Sequence, residues 1–290
     1  MILSGRIVKG IGGFYYVNTE HGIIECRARG KFRKDNIKPL VGDNVDVDTK
    51  NLKDGYILNI QKRKNELIRP PVSNVDQAVI TFSIINPAIN RRQLDKMLII
   101  AEINKISALI CLNKIDLVTP EIYDPICKVY ESLGYIVIPI SKITGEGIDK
   151  LKSNLLGKTS FFTGPSGVGK SSLINCIQNI YTQETGELSP KISRGKHTTR
   201  SVELMPIENG YILDTPGFAS LNLNIDELEL RHYFRDFKGH ENNCRFTSCI
   251  HVNEPDCGVK NAVLNGLIDK NRYSNYLNLL NELKSNKRRK

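Results

Sequence analysis

No stretch of this 290-residue sequence approaches the roughly 20 consecutive apolar residues that a bilayer-spanning helix requires. The opening MILSGRIVKG lacks the continuous apolar run of a secretory signal. The two absences speak against a membrane partner and an exported chain, so a cytoplasmic location is expected. Acidic residues are in deficit, 31 against 41 basic ones, giving a net charge of +10 and a pI near 9.2. A basic surplus of that size points to a polyanionic partner. A disulfide framework is also missing: the seven cysteines are odd in number and follow no signal peptide. Cys26, Cys111, Cys127 and Cys176 stand singly among apolar residues, as buried thiols do. No internal repeat is visible.

What is present is an ordinary globular composition, 40% hydrophobic and 25% charged, in a chain long enough for two or three cores. Residues 1–68 hold five short strand patterns, RIVKG, FYYV, IIECRAR, VDVD and YILNI, separated by Gly, Asn and Asp turns. Five such strands suit an OB-like barrel, and an SH3-like barrel fits almost as well. The segment RARGKFRKDNIK carries Arg27, Arg29, Lys31, Arg33, Lys34 and Lys38 against one acid, and the chain closes with KSNKRRK. Arg27 and Arg29 alternate with Cys26 and Ala28, so they can share a strand face and offer an RNA-binding surface. Tyr15 and Phe32 read either as stacking platforms or as core aromatics.

Pro70-Pro71 reads as a linker. After it, the strands QAVITFS, SALICL, YIVIPI and TSFFTG alternate with helical patterns, which predicts a parallel sheet covered by helices. RRQLDKMLIIAE places Leu94, Met97, Leu98 and Ala101 on one helical face. Residues 221–290 lack strand runs and look helical. The expected architecture is therefore multi-domain: an all-β OB-like barrel over 1–68, an α/β domain over 69–220, and a mostly helical domain over 221–290.

The chemistry sits in five motifs. GPSGVGKSS follows an apolar strand and precedes a helix, the context of a phosphate loop. Its residues are Gly164, Pro165, Ser166, Gly167, Val168, Gly169, Lys170, Ser171 and Ser172. The glycines let backbone N–H groups turn inward, Lys170 reaches the β- and γ-phosphates, and Ser171 offers its hydroxyl to Mg²⁺. DTPGF begins at a strand end, where Asp214 can hold the magnesium shell and the Gly217 N–H can meet the γ-phosphate. Asn113, Lys114, Ile115 and Asp116 form NKID, in which the aspartate accepts from guanine N1–H and the exocyclic amine. Adenine presents no such donors, so the motif specifies GTP. SKITGEG then supplies Ser141, Lys142 and a backbone N–H for guanine O6. The base motifs precede the phosphate loop, an inverted order for such sites. Domain termini tend to lie close together, so a chain can be opened elsewhere while its fold persists.

The fifth motif is Cys244-x4-Cys249-x-His251-x5-Cys257. Three thiolates and one imidazole in fourteen residues make a closed tetrahedral set for one structural Zn²⁺; an iron–sulfur or redox role is the alternative, and mixed Cys₃His ligation favours zinc. His240, just outside, is a poorer ligand candidate. Such a site would staple a segment that buries little core of its own.

Together the basic barrel, the rotated GTP motifs and the Cys/His module resemble the RsgA (YjeQ) family of circularly permuted GTPases over nearly the whole chain. The family's guanine, phosphate and magnesium motifs match at Asn113, Lys114 and Asp116, at Gly164 to Ser172, and at Asp214 to Gly217. The resemblance implies hydrolysis of GTP to GDP and phosphate with Mg²⁺, by a monomer bound to the small (30S) ribosomal subunit and its rRNA, in late subunit assembly. It also implies that Thr199, with Thr198 as runner-up, is the switch threonine that meets Mg²⁺ and the γ-phosphate. Lys142 departs from the pattern, where many relatives carry Ala, but that contact is mainly through the backbone. Many GTPases place a water-orienting glutamine just after the glycine of DTPG. Phe218 stands there instead, which makes His197 the nearest polar candidate for that task. The residues alone leave open a non-ribosomal RNA-associated or signalling GTPase, and an RNA-binding module that senses GTP.

Overall fold

The computed structural model describes residues 1–34, 36–68, 70–185, 202–214, 223 and 225–287. The described residues pack as two compact units. The first draws on the described residues within 1–79, 147–163 and 169–218, the second on those within 80–146, 164–168 and 219–290.

The first unit begins with β1 (Ile2–Ile11), β2 (Phe14–Thr19), β3 (Gly22–Ala28), the single turn α1 (Lys31–Lys34), β4 (Asn44–Thr49) and β5 (Asp54–Ile60). The five strands close into a barrel in the order β1-β2-β3-β5-β4. β1 pairs antiparallel with both β2 and β4, and β3 runs parallel to β5. This order is that of an OB-like barrel, which resolves the choice between the two barrel types. Alternation along each strand turns Ile7, Val17, Ile24, Val45, Val47 and Ile57 inward, and all six are fully buried. Each such side chain contributes about 1.5–3 kcal/mol relative to exposure.

Next come β6 (Glu66–Ile68) and β7 (Pro71–Ser73), an antiparallel pair in which Leu67 faces Val72. The segment expected to be a linker is thus a packed hairpin. Pro71 is tolerated because it opens a strand, where a missing N–H costs least. Asp43, fully buried, clamps the hairpin to the barrel. Its carboxylate accepts from the Arg63 guanidinium at 2.7 and 2.8 Å, from Ser73 Oγ at 2.6 Å, and from the Leu40 N–H at 2.8 Å.

β8 (Gln77–Ser83) is buried at every residue, as a strand covered on both faces should be. It starts in the first unit and ends in the second. The first unit continues with α4 (Ile148–Leu155), β11 (Thr159–Thr163), α5 (Lys170–Thr185), β12 (Leu204–Ile207) and β13 (Gly210–Asp214). Beside the start of β8 the strand order is β11, β13, β12. β11 and β13 are parallel, and β12 pairs antiparallel with β13. The β12–β13 hairpin also meets the barrel. Lys9 pairs with Glu203 at 2.9 Å, and Asn18 donates to the Tyr211 hydroxyl at 3.0 Å. Arg6 lies over the Tyr211 ring, 5.0 Å from its centroid.

The second unit contains α2 (Arg91–Ile103), β9 (Ser107–Asn113), α3 (Pro120–Ser132), β10 (Ile136–Ile140), α6 (Gly258–Leu264) and α7 (Lys270–Lys287). Its strands run in the order β10, β9, β8, with β10 parallel to β9. Asn90 caps α2 by accepting from the Gln93 N–H at 3.0 Å. Leu94, Met97, Leu98 and Ala101 are all buried, as the helical period predicts.

Residues 225–287 are mostly helical, with three short 3₁₀ turns before α6. α7 lies along α2 through the ion pairs Arg92–Glu282 and Lys96–Glu282, at 3.1 and 2.5 Å, and Asp269, just before α7, pairs with Arg91 at 3.0 Å. Beneath them Arg272, 3% exposed, bonds both Asp95 and Asp236, and Tyr130 donates to Asp95 at 2.9 Å. Losing one member of such a buried ionic group costs about 3–5 kcal/mol, because its partner stays buried and unpaired. Among the described residues no helix is long and apolar enough to cross a membrane.

Candidate nucleotide site, metal centre and basic surface

NKID stands at the end of β9, and the second unit brings it against the first half of the phosphate loop. Asn113 is 3% exposed; its Nδ2 donates to the Val168 carbonyl at 2.8 Å. Its Oδ1 accepts from the Lys114 N–H at 2.8 Å. Lys114 adopts a left-handed backbone, φ +64°, and its ammonium donates to the Gly167 carbonyl at 2.9 Å. Residues more than fifty positions apart, in inverted order, are thus hydrogen-bonded directly. Ile115 is buried and anchors the turn, while Asp116 stays exposed.

Ser141 is fully buried, and its hydroxyl donates to Asp116 Oδ1 at 2.5 Å. Ser141 Oγ in turn accepts from the Ile143 and Thr144 N–H groups at 3.1 and 3.3 Å. Its side chain thus aims the Asp116 carboxylate, a bracing contact that the sequence reading did not anticipate. Lys142 is exposed.

Gly164 closes the end of β11 with φ +145°. A Cβ there would lie 2.0 Å from the Thr81 carbonyl of β8, so only glycine fits. Pro165 is half-buried, and Ser166 and Gly167 are exposed. In the first unit Gly169 has φ +96°, and Lys170, Ser171 and Ser172 form the first turn of α5. A helix start directs N–H groups and a positive dipole end toward bound phosphate. Asp214 ends β13, in register with Phe162 of β11 two residues before Gly164. His197, Thr198, Thr199, Gly217 and Phe218 lie outside the described residues.

Cys244, Cys249, His251 and Cys257 converge in the second unit, with all four ligand atoms within 4.8 Å of one another. The Cys244 and Cys257 sulfurs are 3.8 Å apart, and His251 Nδ1 lies 3.6 and 3.4 Å from them. With Zn–S near 2.3 Å and Zn–N near 2.0 Å, a regular tetrahedron has edges of about 3.8 Å between sulfurs and about 3.5 Å from sulfur to nitrogen. The donor set and its spacing therefore fit zinc. Burial, with Arg231 adding to it, pushes the His251 pKa down to about 4, which keeps the imidazole in its ligating neutral form. The loop is held by α7: Tyr273 and Tyr276 donate to the His251 and Ile250 carbonyls at 2.7 and 2.6 Å. His240 is not part of the cluster.

The basic barrel face is partly as expected. Arg27 is exposed on β3 and lies over the Phe14 ring at 4.6 Å. Arg29 is one residue past the strand and approaches Asp48 at 3.5 Å. Phe32, 5% exposed, is a core aromatic, with the Lys31 ammonium 5.2 Å from its ring centroid. Tyr15, Arg27, Arg29, Ile37 and Lys38 help line an open depression of about 420 Å³. Of the four single cysteines, Cys26, Cys111 and Cys127 are buried, whereas Cys176 is half-buried on α5.

A phosphate loop braced by a guanine motif that precedes it in the chain defines a circularly permuted P-loop GTPase. Residues 60–224 match the RsgA GTPase family model, and residues 4–57 match the RsgA N-terminal domain. A small ribosomal subunit biogenesis GTPase RsgA from Caldanaerobacter subterraneus subsp. tengcongensis is 58% identical, covering 99% of this chain and 98% of its own. The RsgA of Alkaliphilus metalliredigens is 48% identical, over 98% and 99%. Among solved structures, YjeQ from Thermotoga maritima aligns with a TM-score of 0.85 at 38% identity, over 98% of this chain and 99% of that one. YloQ, described as a circularly permuted GTPase, aligns with a TM-score of 0.82 at 38% identity, over 99% and 96%. The chain belongs to the RsgA family of GTPases.

Proposed function

We propose that this chain hydrolyses GTP to GDP and phosphate on the small ribosomal subunit, during late assembly of that subunit. The observation that carries the reading is the pair of hydrogen bonds from Asn113 and Lys114 to the Val168 and Gly167 carbonyls. They couple a guanine-reading motif to a phosphate loop. Asp116 reads the base, steadied by Ser141, with Lys142 contributing backbone. Gly164 to Ser172 hold the phosphates. Lys170 neutralises charge that develops on the β- and γ-oxygens. Ser171, Asp214 and Thr199 would hold Mg²⁺, which supplies further charge neutralisation when bound. Gly217 meets the γ-phosphate, and His197 positions the attacking water. Cys244, Cys249, His251 and Cys257 would hold one Zn²⁺ and fix the loop before α6.

The barrel of residues 1–68 grips rRNA through Arg27, Arg29 and Lys31. Residues 69–220 carry the catalytic site, and residues 221–290 form a second docking module. The chain acts as a cytoplasmic monomer. The names of the relatives support the ribosomal partner, and the charge of +10 supports RNA binding.

The test is steady-state phosphate release with and without purified small subunits. Small subunits are expected to stimulate turnover strongly in the wild type, and His197→Ala is expected to lose most of that stimulation while still binding GTP. A wild-type rate that small subunits leave unchanged would remove the ribosome as activator.

A further inference from the structure

The loop that joins β8 to α2 belongs to none of the GTPase motifs, yet it touches two of them within the second unit. Its residues, SIINPAIN, run from Ser83 to Asn90. At its start the Ile84 N–H donates to the Asn113 carbonyl at 3.1 Å. Inside it, Ser83 Oγ donates to the Pro87 carbonyl at 2.7 Å, and the Ile89 N–H donates to the Ile84 carbonyl at 3.2 Å. At its tip Asn86 has φ +53° and turns its carbonyl onto the Lys114 ammonium. The same ammonium donates to the Gly167 carbonyl at 2.9 Å. Pro87 flanks that glycine: its Cδ lies 3.7 Å from where a Gly167 Cβ would sit.

We infer that Asn86 is a positioning residue for nucleotide binding: its left-handed backbone aims a carbonyl that holds Lys114 between this loop and the phosphate loop. The ammonium has three donors on a flexible four-carbon stem. One carbonyl partner leaves the stem free to swing, whereas two on different segments fix its course. The fixed stem is then ready to lie along the base, and Gly167 is held without the nucleotide having to order it. Ligand affinity rises when a side chain is ordered in advance of binding. The exposed loop (Ile85 to Ala88 all face solvent) is thus kept in shape by hydrogen bonds rather than by burial.

The inference rests on the proposed role of Lys114 in the guanine site, and the experiment separates the two. Asparagine and glycine accept positive φ, whereas a β-branched residue does not. In the full-length protein, Asn86→Val is expected to weaken binding of a fluorescent GDP analogue by about tenfold, the scale of one hydrogen bond to a charged group. KM for GTP should rise by a similar factor with little change in kcat. Asn86→Gly should bind within about twofold of wild type. Adding Asn86→Val to Lys114→Ala should weaken binding no further. If Asn86→Val fails to fold, as judged by its thermal transition, Asn86→Ala against Asn86→Gly gives the same comparison, with the alanine variant the weaker binder.

Equal binding by the valine or alanine variant and the glycine variant would overturn the inference. So would a full valine effect that persists in the Lys114→Ala background. If Lys114→Ala alone leaves GDP binding unchanged, the proposed guanine site and this inference fall together. If it weakens binding while Asn86→Val does not, only the inference falls.

Discussion

Gly164→Ala puts a single methyl group where the phosphate loop leaves β11. The new Cβ would stand 2.0 Å from the Thr81 carbonyl oxygen, and ordinary contact begins near 3.4 Å. The loop or β8 must therefore move by about 1.4 Å. β8 is buried at every residue, so the loop is the part that yields. The φ of +145° adds strain of its own, because an L side chain rarely adopts it. Three and four residues on, the Gly167 and Val168 carbonyls accept from Lys114 and Asn113 at 2.9 and 2.8 Å. A shift of that size carries both bonds past useful length. One is a neutral bond and the other a charged one, so their loss amounts to about 2–4 kcal/mol. That corresponds to roughly 30- to 1,000-fold weaker nucleotide binding. Titration with a fluorescent GDP analogue measures the loss, and the thermal transition of the same sample reports the fold. A folded alanine variant that binds GDP within twofold of wild type would show that the loop takes up the methyl group without losing either bond.

Two further outcomes are expected. Metal analysis of purified protein should return one zinc per chain, and Cys249→Ser should lose it while retaining most nucleotide binding; zinc-free protein with freely titratable thiols would contradict the tetrahedral reading. RNA or subunit binding should weaken steeply with salt, and replacing Arg27, Arg29 and Lys31 with alanine should reduce the log–log slope by about 2–3, one phosphate contact per cation; an unchanged slope would place the RNA surface elsewhere.

Much of this architecture is written in local pattern. The apolar runs of β8, β9, β10 and β11 and the helical stripe of α2 are set by burial, which leaves a period in the sequence. The Cys/His spacing is equally local. What escaped depends on partners distant in the chain. Pro70-Pro71 signals a break, yet Asp43 and Arg63 fold the segment into a hairpin, and no local signal reveals a clamp thirty residues away. Ser141 matches a base-contacting motif, but its partner is Asp116, which only the packing of β10 beside β9 brings near. Phe32 sits among cations and still turns inward. Asn86 was missed because its acceptor is a backbone carbonyl, which no side-chain motif records. Arg272 gave no sign that it would be buried between Asp95 and Asp236.

The GTP site proposed for this chain is assembled from motifs in rotated order, with Asp116 reading the base. The most direct measurement is kcat/KM for GTP and for XTP, in the wild type and in Asp116→Asn. Xanthine carries a carbonyl where guanine carries its amine, so an asparagine amide can donate where the carboxylate accepted. A site that hydrogen-bonds its substrate discriminates strongly against a mismatched partner, because buried polar groups are left unpaired. The wild type is expected to prefer GTP by at least about 100-fold, and Asp116→Asn to reverse the preference. A wild type that turns over both nucleotides alike, or a variant that keeps its preference for GTP, would contradict that role of Asp116.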